Sequence, residues 1–146
     1  ALQVRLNLVG EIESYKQNKN LGNTIDASKS IAAVEYSLHQ LRIKQNKMDE
    51  AIELLQSSIT GLLSVLPKRN TYMDDFLMVF NNAEELFLLL ENNQLDHKVI
   101  TELTELADSL CKLEDISEDH RNSLDQVLSK FIENNWLSKD NLMSCQ

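Results

Sequence analysis

The sequence predicts an all-α protein, a small antiparallel bundle of about six helices. Three observations carry this. Glycine occurs three times and proline once in 146 residues, which leaves little material for tight turns. Leu, Glu, Lys, Gln and Asn dominate, and most of these favour helix. Apolar residues then recur at steps of three and four along most of the chain. The longest such run is Ile31, Val34, Leu38, Leu41, Gln45, Met48, Ile52, Leu55, Ile59, Leu62 and Leu66, a heptad seam with one polar member, Gln45.

Taken in order, residues 2–18 read as a first helix with the stripe Leu2, Leu6, Val9 and Ile12, weakened by Gly10. Asn20, Gly22, Asn23 and Thr24 mark a loop, and Asp26 is suited to cap the long helix after it. The seam predicts one continuous helix over 27–66, ended by Pro67 and roughly 60 Å long at 1.5 Å per residue. Its stripe is narrow before Lys47, as in a two-helix contact. It widens after Ala51 to take in Leu54, Leu63 and Val65, as in a bundle. Gln45 reads as a bend or a wet position, or else as a polar contact that sets register.

Residues 71–146 supply the rest of the bundle in a single domain. Thr71 can cap a helix from Tyr72 to Asn93, with Asp74 and Asp75 in its first turns and Asn81-Asn82 as a potential break. Its four acids, Asp74, Asp75, Glu84 and Glu85, argue against a membrane span, each costing roughly 2.5–3.5 kcal/mol near the centre of one. Asp96 is placed to cap a helix carrying Val99, Leu103, Leu106, Leu110 and Leu113. Ser117 starts another through Leu124, Val127, Leu128, Phe131 and Ile132. Asn134-Asn135 ends that helix, after which Trp136 and Leu137 fold back on the core and Ser138 opens a short last turn.

Charge bounds the partners. The net charge is −9, yet residues 1–69 carry nine basic and seven acidic residues. Residues 84–119 carry eleven acids against Lys98 and Lys112. Such a chain repels phosphate backbones, so no nucleic-acid partner is expected. The acidic stretch reads as a solvated face or as a surface for a basic helix. Arg42, Lys44 and Lys47 form a basic strip without interleaved aromatics, which suits helix–helix ion pairs better than a membrane surface. No apolar run reaches about 18 residues, so no direct membrane insertion is expected. The chain starts without Met and is expected to be a fragment of a longer one, whose missing part could carry targeting signals.

Chemistry finds no foothold. Among His39, His97 and His120, only His39 has a possible co-ligand one turn away, Glu35, and no third ligand accompanies them. Asp74-Asp75 and Glu84-Glu85 sit in helical first turns or on outer faces, without the concave site that acid–base work needs. Gly10, Gly22 and Gly61 are too scattered to cradle a phosphate. The expectation is a non-enzyme with no metal or cofactor. Cys111 and Cys145 lie too far apart for a metal motif and are expected to be reduced, Cys111 buried and Cys145 frayed. The residues expected to contact a partner are Ile31, Val34, Leu38, Leu41, Gln45 and Met48, on the narrow half of the seam.

Residues Leu41-Arg42-Ile43-Lys44-Gln45-Asn46-Lys47, continuing through Met48 to Leu66, resemble a segment of the second subunit of the conserved oligomeric Golgi complex. In that family a helix with a basic patch runs into Leu/Ile-rich heptads. The C-terminal bundle with its Asn-rich end resembles the shortened fungal-type form. The resemblance implies a non-catalytic subunit of a vesicle-tethering complex, peripheral on the cytosolic face of the Golgi. Its implied partners are sister helical subunits, with SNARE or coiled-coil tether proteins beyond them. The alternative reading of the same seam is a self-associating structural coiled coil unrelated to trafficking, which predicts a discrete homodimer.

Overall fold

The computed structural model describes residues 24–90 and 97–145. They form five α-helices and three short 3-10 turns, with no strand among the described residues, so the protein is all-α. The helices are α1 (Thr24–Lys44), α2 (Met48–Leu63), α3 (Met73–Leu89), α4 (His97–Cys111) and α5 (Glu118–Glu133). The expected helix over residues 2–18 and the Asp96 cap lie outside the described residues. The chain divides into two compact units, one ending at Leu66 and the other beginning at Pro67.

The continuous helix expected over 27–66 is instead two helices joined by a three-residue turn. The cause lies at Asn46, whose φ is 59°. An αL residue ends a helix, and Asn tolerates that conformation better than any residue except glycine. The Lys47 N–H donates to the Arg42 carbonyl at 2.8 Å, and the Asn46 N–H donates to the Ile43 carbonyl at 3.0 Å. This pair of bonds is the Schellman pattern, which satisfies carbonyls that would otherwise be orphaned. Gln45, the polar exception in the seam, is the C-cap residue. Its side chain accepts a hydrogen bond from Arg42 Nη1 at 3.1 Å.

α1 and α2 run antiparallel. Ser58 Oγ donates to the Ala32 carbonyl at 3.0 Å, and Arg42 Nε pairs with Glu50 Oε2 at 3.1 Å, two contacts centred on the same turn. α2 buries Ala51, Leu55, Ser58, Ile59 and Leu62, which is one helical face. Each fully buried Leu or Ile there contributes roughly 1.5–3 kcal/mol over an exposed one. α1 buries Ser28, Ile31, Ala32, Glu35, Leu38 and His39. At about 100° per residue, that face is rotated roughly a quarter turn from the apolar seam. The close contact of Ala32 with Ser58 explains the rotation. Small side chains let two backbones approach, and Ser28, Ala32, Ala51 and Ser58 are all buried here.

In the second unit, Asn70–Tyr72 forms a 3-10 turn, and α3 starts at Met73 with Asp74 and Asp75 in its first turn. α3 runs unbroken through Asn81-Asn82, and Asn82 is buried with Met73, Phe76, Val79, Phe80, Ala83, Leu86 and Phe87. So wide a face means contact from more than one side. α4 buries Val99, Leu103, Leu106, Ala107 and Leu110. Ser117 caps α5 as expected, its hydroxyl accepting from the His120 N–H at 3.1 Å. Arg121 then reaches from α5 to the end of α4, donating to the carbonyls of Cys111 at 3.3 Å and Leu113 at 2.7 Å. A cation suits that negative helix terminus.

α5 ends as α1 does. Asn135 has φ 60°, its N–H donates to Ile132 at 3.0 Å, and the Trp136 N–H donates to Phe131 at 2.9 Å. The matching apolar contact is present, with Trp136 and Phe131 edge-on at 5.3 Å. Trp136 stacks on Phe87 at 4.8 Å, and Phe131 also stands edge-on to Phe80 and Phe87. These four rings join α3, α5 and the C-terminal segment around one aromatic nucleus.

Candidate interaction surface

The structure separates the six residues expected at a partner interface. Ile31 and Leu38 are buried, at 8% and 1% exposure, and in this arrangement are not available to a partner. Val34, Leu41 and Gln45 are half-buried, and Met48, the first residue of α2, is 40% exposed. The quarter-turn rotation of α1 produces this split. The surface that remains is a short apolar ridge, Val34 and Leu41, ending at the turn with Met48. Lys44 and Lys47 are exposed beside it, whereas Arg42 is committed to Gln45 and Glu50 within the hairpin.

His39 and His120 both make contacts within the fold, and His97 is exposed. His39 is buried, its Nδ1 against the Tyr36 carbonyl and its ring edge-on to Tyr36 at 4.6 Å. Glu35, one turn away, is buried as well. His120 Nε2 meets Asp74 Oδ1 at 2.9 Å, tying the first turn of α5 to that of α3. Among the described residues no three His, Cys, Asp or Glu side chains gather as a metal site would require. No described helix is long and apolar enough to cross a membrane.

Two open hollows of about 340 and 440 Å³ share Ile132 and Lys139 along α5 and the C-terminal segment. Neither gathers a nucleophile with a base and an orienting group. Glu84 of α3 and Lys130 of α5 form an ion pair across their packed faces.

The cysteines overturn an expectation. Cys111 and Cys145 are not reduced thiols but a disulfide, with Cα atoms 5.1 Å apart across 34 residues of sequence. Cys145 is not frayed. It belongs to the 3-10 turn Met143–Cys145, held under α4 by a hydrogen bond from the Ser144 N–H to Asp108 Oδ1 at 2.8 Å. That bond, with a smaller contribution from the Lys112 ammonium 3.5 Å away, holds the Asp108 carboxyl below the usual aspartate range against the opposing effect of burial. The available signal was the cysteine count: two, with no metal motif to absorb them.

Comparison of the chain with protein-family models, with curated proteins and with solved structures finds no match.

Proposed function

We propose that this chain is a non-catalytic helical module for protein–protein assembly, and that the α1–α2 hairpin carries its contact face through Val34, Leu41, Gln45 and Met48. The observation behind this reading is the apolar ridge left partly open by the rotation of α1, ending in the exposed Met48. Ile31 and Leu38 serve the hairpin's own core. The partner is a helix, received along a ridge of aliphatic side chains.

Membership of a Golgi vesicle-tethering complex is a narrower form of this proposal, with sister helical subunits as partners. It rests on the resemblance over residues 41–66 alone. Two observations weigh against it: the turn at residues 45–47 interrupts the helix that carries the resemblance, and a disulfide is foreign to the cytosolic face. Self-association through the same ridge is the competing reading.

The test compares the intact chain with a Leu41→Asp/Met48→Asp double variant by sedimentation at micromolar concentration and by affinity capture from the chain's own cells. The module reading expects a monomer and a set of helical partners that the variant loses. A homodimer dissolved by the variant would instead establish self-association. Partners retained by the variant would remove this face from consideration.

A further inference from the structure

We infer that the chain matures in an oxidising compartment, such as a secretory lumen, a periplasm or the cell exterior, where the Cys111–Cys145 disulfide locks the C-terminal segment to α4. This goes beyond the assembly reading and does not depend on it.

The bond uses every cysteine the chain has, since the sequence contains two and both are paired. No third thiol is left to act as a resolving or exchange partner within the chain. Non-covalent contacts independently bring the two residues together. Leu142 is 1% exposed and Leu137 3%, so the segment leading to Cys145 is anchored by its own apolar side chains. The Ser144 N–H is held by Asp108, one turn of α4 before Cys111. Cys145 Sγ also lies 3.5 Å from the Ala107 carbonyl. The fold thus presents two thiols to each other at a separation that a disulfide spans.

Formation balances as thiol–disulfide exchange. One cysteine thiolate attacks the disulfide of an oxidised partner protein, giving a mixed disulfide and one partner thiolate. The second cysteine attacks the mixed disulfide and releases the other partner thiolate. Two thiols in this chain become one disulfide, and the partner leaves with both electrons and both protons as a dithiol. The cytosol runs this exchange in the opposite direction, because glutathione and thioredoxin hold thiols reduced. A chain whose folded state contains this bond therefore belongs where oxidised dithiol carriers are maintained.

The experiment isolates the chain from its own cells after acid quenching and alkylation with N-ethylmaleimide under denaturing conditions, then measures intact mass. The expected result is no adduct without reduction and two adducts after it. Two adducts in the unreduced sample would overturn the inference about compartment. For the lock, the purified full chain is compared with and without a phosphine reductant, and with the Cys111→Ser/Cys145→Ser variant. Tm of the transition reported by Trp136 should fall by roughly ten degrees or more on reduction. Amide exchange should rise across residues 138–145, with the double variant matching the reduced protein. An unchanged Tm and unchanged exchange in that segment would overturn the lock.

Discussion

Phe131 is where a single side chain should matter most. It is 1% exposed on α5 and stands edge-on to three rings, Phe80 at 5.7 Å, Phe87 at 5.9 Å and Trp136 at 5.3 Å. Truncation to Ala removes its transfer energy and leaves a cavity, a combined cost of about 3–5 kcal/mol. Phe131→Leu keeps most of the volume and loses the ring–ring terms, at about 0.5–1.5 kcal/mol for each pair fully lost. Partial repacking should bring the total for Leu to about 1–2 kcal/mol. A unit running from Pro67 to Gln146 has a stability of roughly 4–12 kcal/mol at about 0.05–0.15 kcal/mol per residue. The Ala variant should therefore sit near the edge of folding, while the Leu variant remains measurable. Trp136 is the only tryptophan, so its fluorescence during urea unfolding reports this unit alone, and far-ultraviolet circular dichroism reports both. The expected ranking is wild type, then Leu, then Ala, with Trp136 emission altered in both variants before unfolding. Two variants within about 0.5 kcal/mol of wild type, the scatter of ordinary surface changes, would refute the aromatic nucleus as the organiser of this unit.

Three further outcomes rest on local geometry. At Asn46, Gly should be close to neutral and Val should cost about 1–2 kcal/mol, because a β-branched residue resists the αL conformation; thermal melts of the two variants decide this. Ser58→Ala should lose about 0.5–1.5 kcal/mol for the buried bond to Ala32, read as a shift in urea midpoint followed by circular dichroism rather than by Trp136. Asp108 has a folded-state pKa below its unfolded value, so its contribution is full above the ordinary aspartate range and is lost as pH falls through the depressed folded value. An NMR titration should show the Ser144 amide shifting with a midpoint below that of a free aspartate, and Asp108→Asn should abolish the step.

The elements from α3 onward were largely legible from their apolar stripes, and α5 from its cap as well. Ser117, followed by Glu118 and Asp119, announces the start of α5, and Asn134-Asn135 announces its end. The turn at Gln45-Asn46-Lys47 was written in the same vocabulary, a polar residue followed by Asn. Heptad arithmetic bridges such a turn without registering it, since the seam resumes in phase at Met48. The burial of Glu35 and His39 in place of Val34 and Leu41 had no local signal. It depends on Ala32 meeting Ser58, a tertiary contact between small residues that periodicity cannot weigh. Two of the six residues expected at a partner contact, Ile31 and Leu38, are buried inside the hairpin as a result. The disulfide was hidden in a similar way, because closeness in space between residues 34 apart is invisible in a stripe.

The Cys111–Cys145 bond also decides how the second unit would carry mechanical load. A pull applied through Pro67 and Gln146 passes from Cys111 directly to Cys145, so α5 and the aromatic ring pair Phe131–Trp136 sit on a bypassed branch. Stretching must first break the contacts of α3 and α4, and the 34-residue span adds no length until the sulfurs part. At about 3.3–3.6 Å per extended residue, the oxidised chain should rupture to a contour roughly 110–120 Å shorter than the reduced one.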